Sequence, residues 1–304
     1  EIMPSLVGSE MCIRDRACFI FIPCQIFPQR DLSKVEIKII PVTENIYMLQ
    51  GVGGNIGVCV GKDGILLVDT QYAELYDKIK EALRKISNGK VKYVLNTHWH
   101  RDHTDGNVKF GTEAVIIAHI NVRKRLSSEQ KIFSRKIKPL PLQGLPKITF
   151  YTSISLYFND EEIRMVHFAN AHTDGDSVIF FTKSNVLHMG DLFFSGRFPF
   201  VDLESGGDVE NLTKTIEFIL QRLPSTTKII PGHGPLSTRE DLKAYHHMLI
   251  QTTEIVREKI NQGKSLEKIK AEGFPDVWKG WESNFINTEK WIEIIYKSLT
   301  KKQR

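Results

Sequence analysis

The sequence of 304 residues has few cysteines, no long apolar run and little excess charge. Its four cysteines form no CxxC pair, and their spacing fits neither a zinc ribbon nor a disulfide framework. No apolar stretch reaches the roughly 18 residues of a membrane-spanning helix, so none is predicted. The net charge of +5 is spread along the chain, which does not indicate nucleic-acid binding. No fixed-period repeat is present, which argues against a solenoid.

The first 34 residues differ in character from the rest. The apolar run "CFIFIPCQIF" at 18–27 is typical of the central region of a secretory signal peptide. The preceding "PSLVGSEMCIRDR" at 4–16 resembles a translated cDNA adapter. We therefore expect residues 1–34 to be a leader outside the fold and residues 35–304 to form the functional domain. The apolar run favours a periplasmic or secreted protein, with a cytoplasmic one as the alternative.

Strand-like and helix-like segments alternate along residues 35–304, which predicts a single mixed α/β unit. Branched and aromatic residues indicate strands, including a hairpin at 56–70 that turns at Lys62–Gly64. Apolar residues at helical spacing predict helices over 73–87, 120–134, 210–223 and 238–262, followed by two shorter ones. The other predicted strands are 35–42, 45–50, 90–96, 114–119, 154–158, 161–168, 177–182, 185–190 and 227–230.

The segment "THWHRDHTDGN" at 97–107 concentrates potential metal ligands, holding three of the ten histidines of the chain. In extended backbone, His98 and His100 point to the same face because they are two residues apart. Asp102 and His103 follow in a tighter turn and point elsewhere, so the segment can serve two metals. Imidazole and carboxylate ligands suit zinc, with iron or manganese as alternatives.

Three more candidate ligands each follow a predicted strand. His172 lies in "NAHTDGDS", Asp191 in "HMGDLFF" and His233 in "IIPGHGP". Ligand sites in α/β sheets gather beyond the carboxyl ends of strands, so these residues are expected to complete the site.

The order of these motifs resembles the metallo-β-lactamase superfamily over about residues 40–240. The resemblance implies a four-layer αββα sandwich, with Asp69 of "LLVDT" behind the metals and Asp191 bridging two zinc ions. It also implies one ligand trio for each zinc: His98, His100 and His172 for the first, and Asp102, His103 and His233 for the second.

Asp191 bears on which member of the superfamily this is. One common subclass of β-lactamases has cysteine at that position, whereas aspartate resembles glyoxalase II-like thioesterases and lactonases. His100 disfavours flavodiiron proteins, which carry glutamate there, and the short spacing from Asp191 to His233 disfavours nucleic-acid-processing relatives. The segments "AHTDGDS", "GRFPFVDLESGG" and "WIEIIYKSL" are similar to bacterial periplasmic lactamase-like proteins.

We therefore predict a dinuclear zinc hydrolase in which a metal-bridging hydroxide attacks a small-molecule ester, thioester, lactone or lactam. His98, His100, Asp102 and Asp191 are the predicted catalytic residues. The alternatives are a working β-lactamase that degrades antibiotics, an iron-dependent sulfur dioxygenase and a non-catalytic binding module. The oligomeric state is left open.

The glycine-rich loop, the basic stretch and the remaining histidines and aromatic residues are given structural interpretations beside their possible roles in function. The glycine-rich loop at 51–57 is expected to flank the cleft as a flap, and the basic stretch 123–138 to be a solvated face or an attractor of anionic substrates. Histidines 119, 167 and 188 are expected to be packed or to support ligands, and 246 and 247 to lie on or near a helix surface. Six aromatic residues are equally expected to line the substrate site or to fill the core: Phe193, Phe194, Phe198, Phe200, Trp278 and Trp281.

Overall fold

The structure is a computed structural model that describes residues 32–132 and 135–301. Residues 1–31, which hold most of the predicted leader, lie outside the described residues. Leu32–Lys34 form a short 3₁₀ helix packed on the domain. The ammonium group of Lys78 donates hydrogen bonds to the backbone carbonyls of Leu32, Ser33 and Val35, which ties this turn to the first long helix.

The first sheet has seven strands in the order β1-β2-β3-β4-β5-β6-β9. Neighbours are antiparallel from β1 to β4 and parallel from β4 onward. The strands are β1 (Lys38–Pro41), β2 (Ile46–Gln50), β3 (Ile56–Gly61), β4 (Gly64–Val68), β5 (Val91–Leu95), β6 (Val115–His119) and β9 (Ile148–Phe150). Between them lie α1 (Tyr76–Ile86), α2 (Arg101–Thr104), α3 (Asn107–Phe110) and α4 (Ile120–Leu126), and a two-stranded hairpin of β7 (Gln130–Ile132) and β8 (Arg135–Ile137).

The second sheet has five strands in the order β10-β11-β12-β13-β14, of which only the pair β13–β14 is parallel. They are β10 (Ser153–Phe158), β11 (Glu161–His167), β12 (Ser177–Phe181), β13 (Val186–Phe194) and β14 (Lys228–His233). The helices of this half are α5 (Val209–Arg222), α6 (Arg239–Asn261), α7 (Leu266–Glu272) and α8 (Thr288–Lys301).

Successive side chains of a strand point to opposite faces of the sheet. Apolar side chains on both faces of each sheet therefore pack the molecule into four layers, with helices outside the two sheets. On β4, Leu66 and Val68 pack between the two sheets, whereas Ile65 and Leu67 pack against α1. On the far side, α5, α6 and α8 cover the second sheet with an apolar cluster that includes Trp291. The αββα sandwich implied by the family resemblance is therefore confirmed, as a single mixed α/β unit. Within the described residues no helix combines the length and apolar character that a membrane span requires.

Two expectations about element bounds were wrong. The predicted helix over 120–134 ends at Leu126, and the chain then enters the β7–β8 hairpin. Ser127 and Ser128 explain the ending, because both hydroxyls donate to the backbone carbonyl of Lys124 and compete with helical bonding.

The second error concerns the strands that carry Asp191 and His233. Both residues were placed just beyond a strand, but β13 and β14 extend through them. Parallel pairing resumes at Phe194 and His233 after irregular steps at Gly190. The positive φ of 50° at Gly190 suits glycine and permits this irregularity.

Candidate metal centre

The seven predicted ligands converge where the two sheets meet. His98 and His100 follow β5, Asp102 and His103 lie on α2, and the others come from the second sheet: His172 between β11 and β12, Asp191 on β13 and His233 on β14. In the part of the chain that the structure describes, two groups of side chains are placed to hold a metal ion: His98, His100, His172 and Asp191, and Asp102, His103 and His233.

In the first group, three imidazole nitrogens face one another. Nδ1 of His100 lies 3.1 Å from Nε2 of His98 and 2.9 Å from Nε2 of His172. The outer nitrogen of each ring already has a partner. Nδ1 of His98 contacts the hydroxyl of Thr97 at 3.0 Å, and Nδ1 of His172 donates to the carbonyl of Phe200 at 2.8 Å.

These outer contacts assign the protons of the rings to the side that faces away from the centre. The three inner nitrogens therefore present lone pairs to one another, which is unfavourable unless a cation lies between them. Neutral imidazoles are also the form that binds metal. The donor set thus fits a metal ion.

The second group is more open. Nε2 of His233 lies 3.2 Å from Oδ2 of Asp102 and 3.4 Å from Nε2 of His103. The side chains of Asp102 and His233 are 25% and 20% exposed, while the histidines of the first group are almost fully buried. Solvent and ligands therefore reach the centre from the side of this second group.

Asp191 stands between the two groups. Its Oδ1 is 3.0 Å from Nε2 of His103 and 3.4 Å from Nε2 of His233. Its Oδ2 is 3.5 Å from Nε2 of His172 and 3.8 Å from Nε2 of His98. Oδ1 is buried and accepts no hydrogen bond from any described residue, so it lacks the partner that a buried carboxylate requires. One oxygen for each group is the arrangement of a bridging ligand.

Two buried carboxylates support the histidines from behind. Asp69 Oδ2 accepts a hydrogen bond from Nδ1 of His103 at 2.7 Å, and the same residue accepts two more from Thr97. Asp202 Oδ2 is 3.0 Å from Nε2 of His100. Such contacts fix the ring orientation and make the ligand more basic. Sequence reasoning found Asp69 but missed Asp202, although the segment "GRFPFVDLESGG" that contains it was noted.

The electrostatics of the first group match metal binding, whereas in the second group the carboxylates of Asp191 and Asp102 outweigh burial and raise the pKa of His233 to about 9, so a metal must displace a proton there. Burial, which excludes water from the charged form, lowers the pKa of His98 well below its usual value and that of His172 to about 4. Burial alone would raise the pKa of Asp191, but the adjacent His103 and His233 outweigh it and hold that pKa well below its usual range. At neutral pH, His98 and His172 are therefore neutral and Asp191 is ionised.

Comparison with known proteins agrees with this geometry. The sequence model of the metallo-beta-lactamase superfamily matches residues 49–233, which is more than half of the chain and includes all seven candidate ligands. The chain belongs to the metallo-beta-lactamase superfamily.

Relatives within the superfamily carry different activities in their names. Metallo-beta-lactamase IND-1 of Chryseobacterium indologenes is 27% identical over 208 residues, covering 64% of this chain and 80% of that protein. The hydroxyacylglutathione hydrolase of Prochlorococcus marinus (strain NATL1A) is 26% identical over 191 residues, covering 59% of this chain and 66% of that protein.

Solved structures with little sequence identity share the fold of the superfamily. The DIM-1 metallo-beta-lactamase superposes with a TM-score of 0.59 at 21% identity, over 72% of this chain and 99% of that chain. The inverting sec-alkylsulfatase Pisa1 of Pseudomonas sp. gives 0.64 at 15% identity, over 86% of this chain and half of that one.

The glycine-rich loop between β2 and β3 lies directly against the metal centre of this superfamily member. The N–H of Gly54 donates to the carbonyl of Asp102 at 3.0 Å, and the N–H of Asn55 donates to that of Gly232 at 2.7 Å. A Cβ built on Gly54 would overlap the ring of His103, so only glycine fits this approach. The expected position of the loop beside the cleft agrees with these contacts, and its role as a flap stays a prediction.

The remaining histidines lie outside the two ligand groups. His188 is buried and satisfied, because its ring contacts the carbonyl of Asn55 at 3.1 Å and accepts from the N–H of Gly190 at 3.2 Å. His119 and His167 stack with their ring centroids 3.6 Å apart. His246 is half-buried and His247 is exposed on α6. These placements agree with the structural roles expected from the sequence.

The aromatic residues divide between core and site. Phe193, Phe198 and Trp278 are buried in the apolar cluster between the second sheet and its covering helices. Trp281 is partly buried and packs against this cluster. Phe194 stacks on His233 with centroids 5.1 Å apart, and Phe200 lies 5.7 Å from the ring of His100. These last two rings therefore wall the metal centre.

Proposed function

We propose that this protein is a dinuclear zinc-dependent hydrolase that attacks the carbonyl group of a small-molecule ester, thioester, lactone or lactam. The observation that carries the proposal is the position of Asp191, with one carboxylate oxygen 3.0 Å from a histidine of the second group and the other 3.5 Å from a histidine of the first. Two metals sharing a carboxylate are a common device of hydrolytic enzymes.

Each ligand has an assigned place in this proposal. Asp191 would contact both ions through its two oxygens. The remaining six would divide into a closed trio (His98, His100 and His172) and a more open trio (Asp102, His103 and His233). When bound, two zinc ions would lower the pKa of a water to near neutrality and polarise the carbonyl oxygen of the substrate.

Asp102 is the residue placed to orient the attacking water. It is the most exposed of the candidate ligands, so a water or substrate entering the cleft can reach it. Burial opposes its ionisation, but His103 and His233 outweigh burial and lower its pKa, so the carboxylate stays ionised. An ionised carboxylate accepts hydrogen bonds, and Asp102 would therefore orient the attacking water.

Hydrophobic side chains around the centre favour a substrate with an apolar part. Phe194 and Phe200 exclude water from one side of the site, which strengthens electrostatic interactions within it. Phe285, about half exposed, packs edge-on against Phe200. Val52 of the glycine-rich loop is also exposed. We propose that these apolar side chains contact the substrate.

Thioesters, esters and lactones are the preferred substrates in this proposal. Aspartate at position 191, where one β-lactamase subclass has cysteine, supports them. A β-lactamase is the second candidate, favoured by the 27% identity to IND-1 over most of that protein's length.

The decisive experiment combines metal analysis with a substrate panel. The purified chain is expected to hold two zinc ions and to hydrolyse thioesters, esters or lactones faster than lactams. Asp191→Ala should lose both metal and turnover, whereas Asp276→Ala, a change at an exposed carboxylate, should keep both. Preferential turnover of lactams would instead identify a β-lactamase. One iron per chain with no hydrolysis would refute the proposal and favour a sulfur dioxygenase.

We also propose that the protein acts outside the cytoplasm, on the strength of the apolar run at 18–27. Fusion of residues 1–34 to a reporter enzyme that is active only after export tests this directly. An inactive reporter with full cytoplasmic accumulation would favour the cytoplasmic alternative.

A further inference from the structure

A cavity of about 390 Å³ lies between the histidine-rich segment 97–107 and the basic stretch 123–138. None of the seven candidate metal ligands lines it, so it is distinct from the proposed hydrolytic site. Its wall is formed by residues of segment 97–107, of α4 and of the β7–β8 hairpin with the residues that follow it.

The lining has four cationic side chains and one carboxylate, and Lys136 among the cations pairs with Glu129 at 3.0 Å. Two arginines are held in fixed positions. Nε of Arg101 donates to Asp105 at 2.8 Å, and Nε and Nη2 of Arg125 each donate to Asp174 at 2.7 Å. A guanidinium carries five N–H groups, and pairing with one carboxylate uses two of them. Nη1 of Arg125 also donates to Gln130 at 3.0 Å, which leaves two N–H groups on Arg125 and three on Arg101 for a further anion.

Trp99 supplies a second, independent observation. Its side chain is only 1% exposed, and its indole Nε1–H donates to no acceptor in the described chain. Buried N–H donors in proteins almost always have a partner. The guanidinium carbon of Arg125 lies 5.9 Å from the centre of the same ring. A ligand in the cavity would therefore lie beside this ring and beside a cation that is held by its ion pair with Asp174.

Apolar side chains complete the cavity. Leu126, Ile137, Pro139 and Leu140 contribute hydrocarbon surface beside the polar groups. An adjoining cavity of about 240 Å³ shares Arg125 but is also lined by Glu129 and Glu204, which makes it less favourable for an anion. The larger cavity therefore combines two arginines held by carboxylates with an apolar wall.

We propose that this larger cavity binds an organic carboxylate with an apolar body. The carboxylate lies against the arginines beside the ring of Trp99, and the hydrocarbon part lies against the leucines and Ile137. Arginine forks match the two oxygens of a carboxylate, and the apolar wall favours a hydrocarbon chain over a bare inorganic anion.

Hexanoate is the probe, and the indole N–H resonance of Trp99 in the ¹⁵N-labelled full-length chain is the readout. The resonance is assigned by its absence in Trp99→Phe. Hexanoate should shift it in a saturable manner. Hexanamide, which has a similar apolar body without the charge, and inorganic phosphate, which has charge without the body, should shift it weakly or not at all.

Surface variants keep the test independent of folding. Lys138 is an exposed residue of the lining, and Lys138→Glu should weaken hexanoate binding by about three- to fivefold, the effect of an exposed charge pair. Lys147→Glu changes an exposed lysine outside the lining and should leave the affinity unchanged. No saturable shift with hexanoate, an equal shift with hexanamide or phosphate, or equal affinities of the two variants would each overturn the proposal.

Discussion

Replacing Asp202 by asparagine should weaken metal binding at the trio of His98, His100 and His172. Asp202 Oδ2 lies 3.0 Å from Nε2 of His100, and both side chains are almost fully buried. The other nitrogen of this ring faces the metal centre. Asparagine preserves the shape of the side chain and an acceptor oxygen but removes the negative charge that makes the imidazole a stronger ligand.

The size of the effect follows from the charge of this buried contact. A hydrogen bond to a charged group contributes about 1.5–3 kcal/mol. Since 1.4 kcal/mol corresponds to a tenfold change in an equilibrium constant, complete loss of the contact would weaken metal binding by about ten- to a hundredfold. We expect Asp202→Asn, which keeps a neutral contact, to lie near tenfold, and Asp202→Ala to lie near a hundredfold.

The assay is competition for zinc between the metal-free protein and a chromophoric chelator, read as two successive binding steps. Asp202→Asn should weaken one step, and Asp69→Asn, which loses the charge behind His103, should weaken the other more strongly. Asp276→Asn, at an exposed carboxylate, is the matched control and should change neither. If Asp202→Asn and Asp202→Ala both kept the two parental affinities, the assignment of Asp202 as a positioning residue would be refuted.

Three further predictions concern packing and burial. Gly54→Ala should displace the loop from His103 and reduce metal content, whereas Gly280→Ala, whose new Cβ would meet nothing within 4 Å, should leave it unchanged in metal analysis. Leu66→Ala, in the core between the sheets, should lower the free energy of unfolding by about 2–5 kcal/mol in urea titrations, and a loss well under 1 kcal/mol would contradict its placement. Burial lowers the pKa of His188 to about 4 from 6.5, so the unfolded chain takes up a proton first as the pH falls. His188 should therefore contribute up to about 3 kcal/mol to the loss of stability of the metal-free protein between pH 6.5 and 4, and His188→Gln should reduce the loss in urea titrations by about that amount.

Local patterns in the sequence were sufficient to find the candidate ligands and most elements. His98, His100, Asp102 and His103 lie within six residues of the chain, so their spacing alone predicts that they act together. The unbroken apolar run of β4 indicates a sheet buried on both sides, because successive strand side chains point to opposite faces.

The two errors arose where hydrogen bonding outside the local pattern outweighed it. The apolar spacing over 120–134 predicts a single helix, but the hydroxyls of Ser127 and Ser128 bond to the backbone of Lys124 and the chain turns into a hairpin. Pro231 and Gly232 predict an early end to β14, yet pairing with β13 carries the strand on to His233. Propensity describes an isolated segment, whereas strand pairing depends on a neighbour distant in sequence.

The sequence by itself determined which side chains can bind metal, because ligand chemistry and short spacing belong to the residues. Only the tertiary structure decided how they are shared: it places one oxygen of Asp191 toward each trio and brings Asp202 behind His100, which lies 102 positions earlier in the chain. These relations depend on how the two sheets pack, and no local pattern encodes distances between residues so far apart. The same packing brings Trp99 and Arg125 to one cavity, which neither the metal motif nor the basic stretch predicts alone.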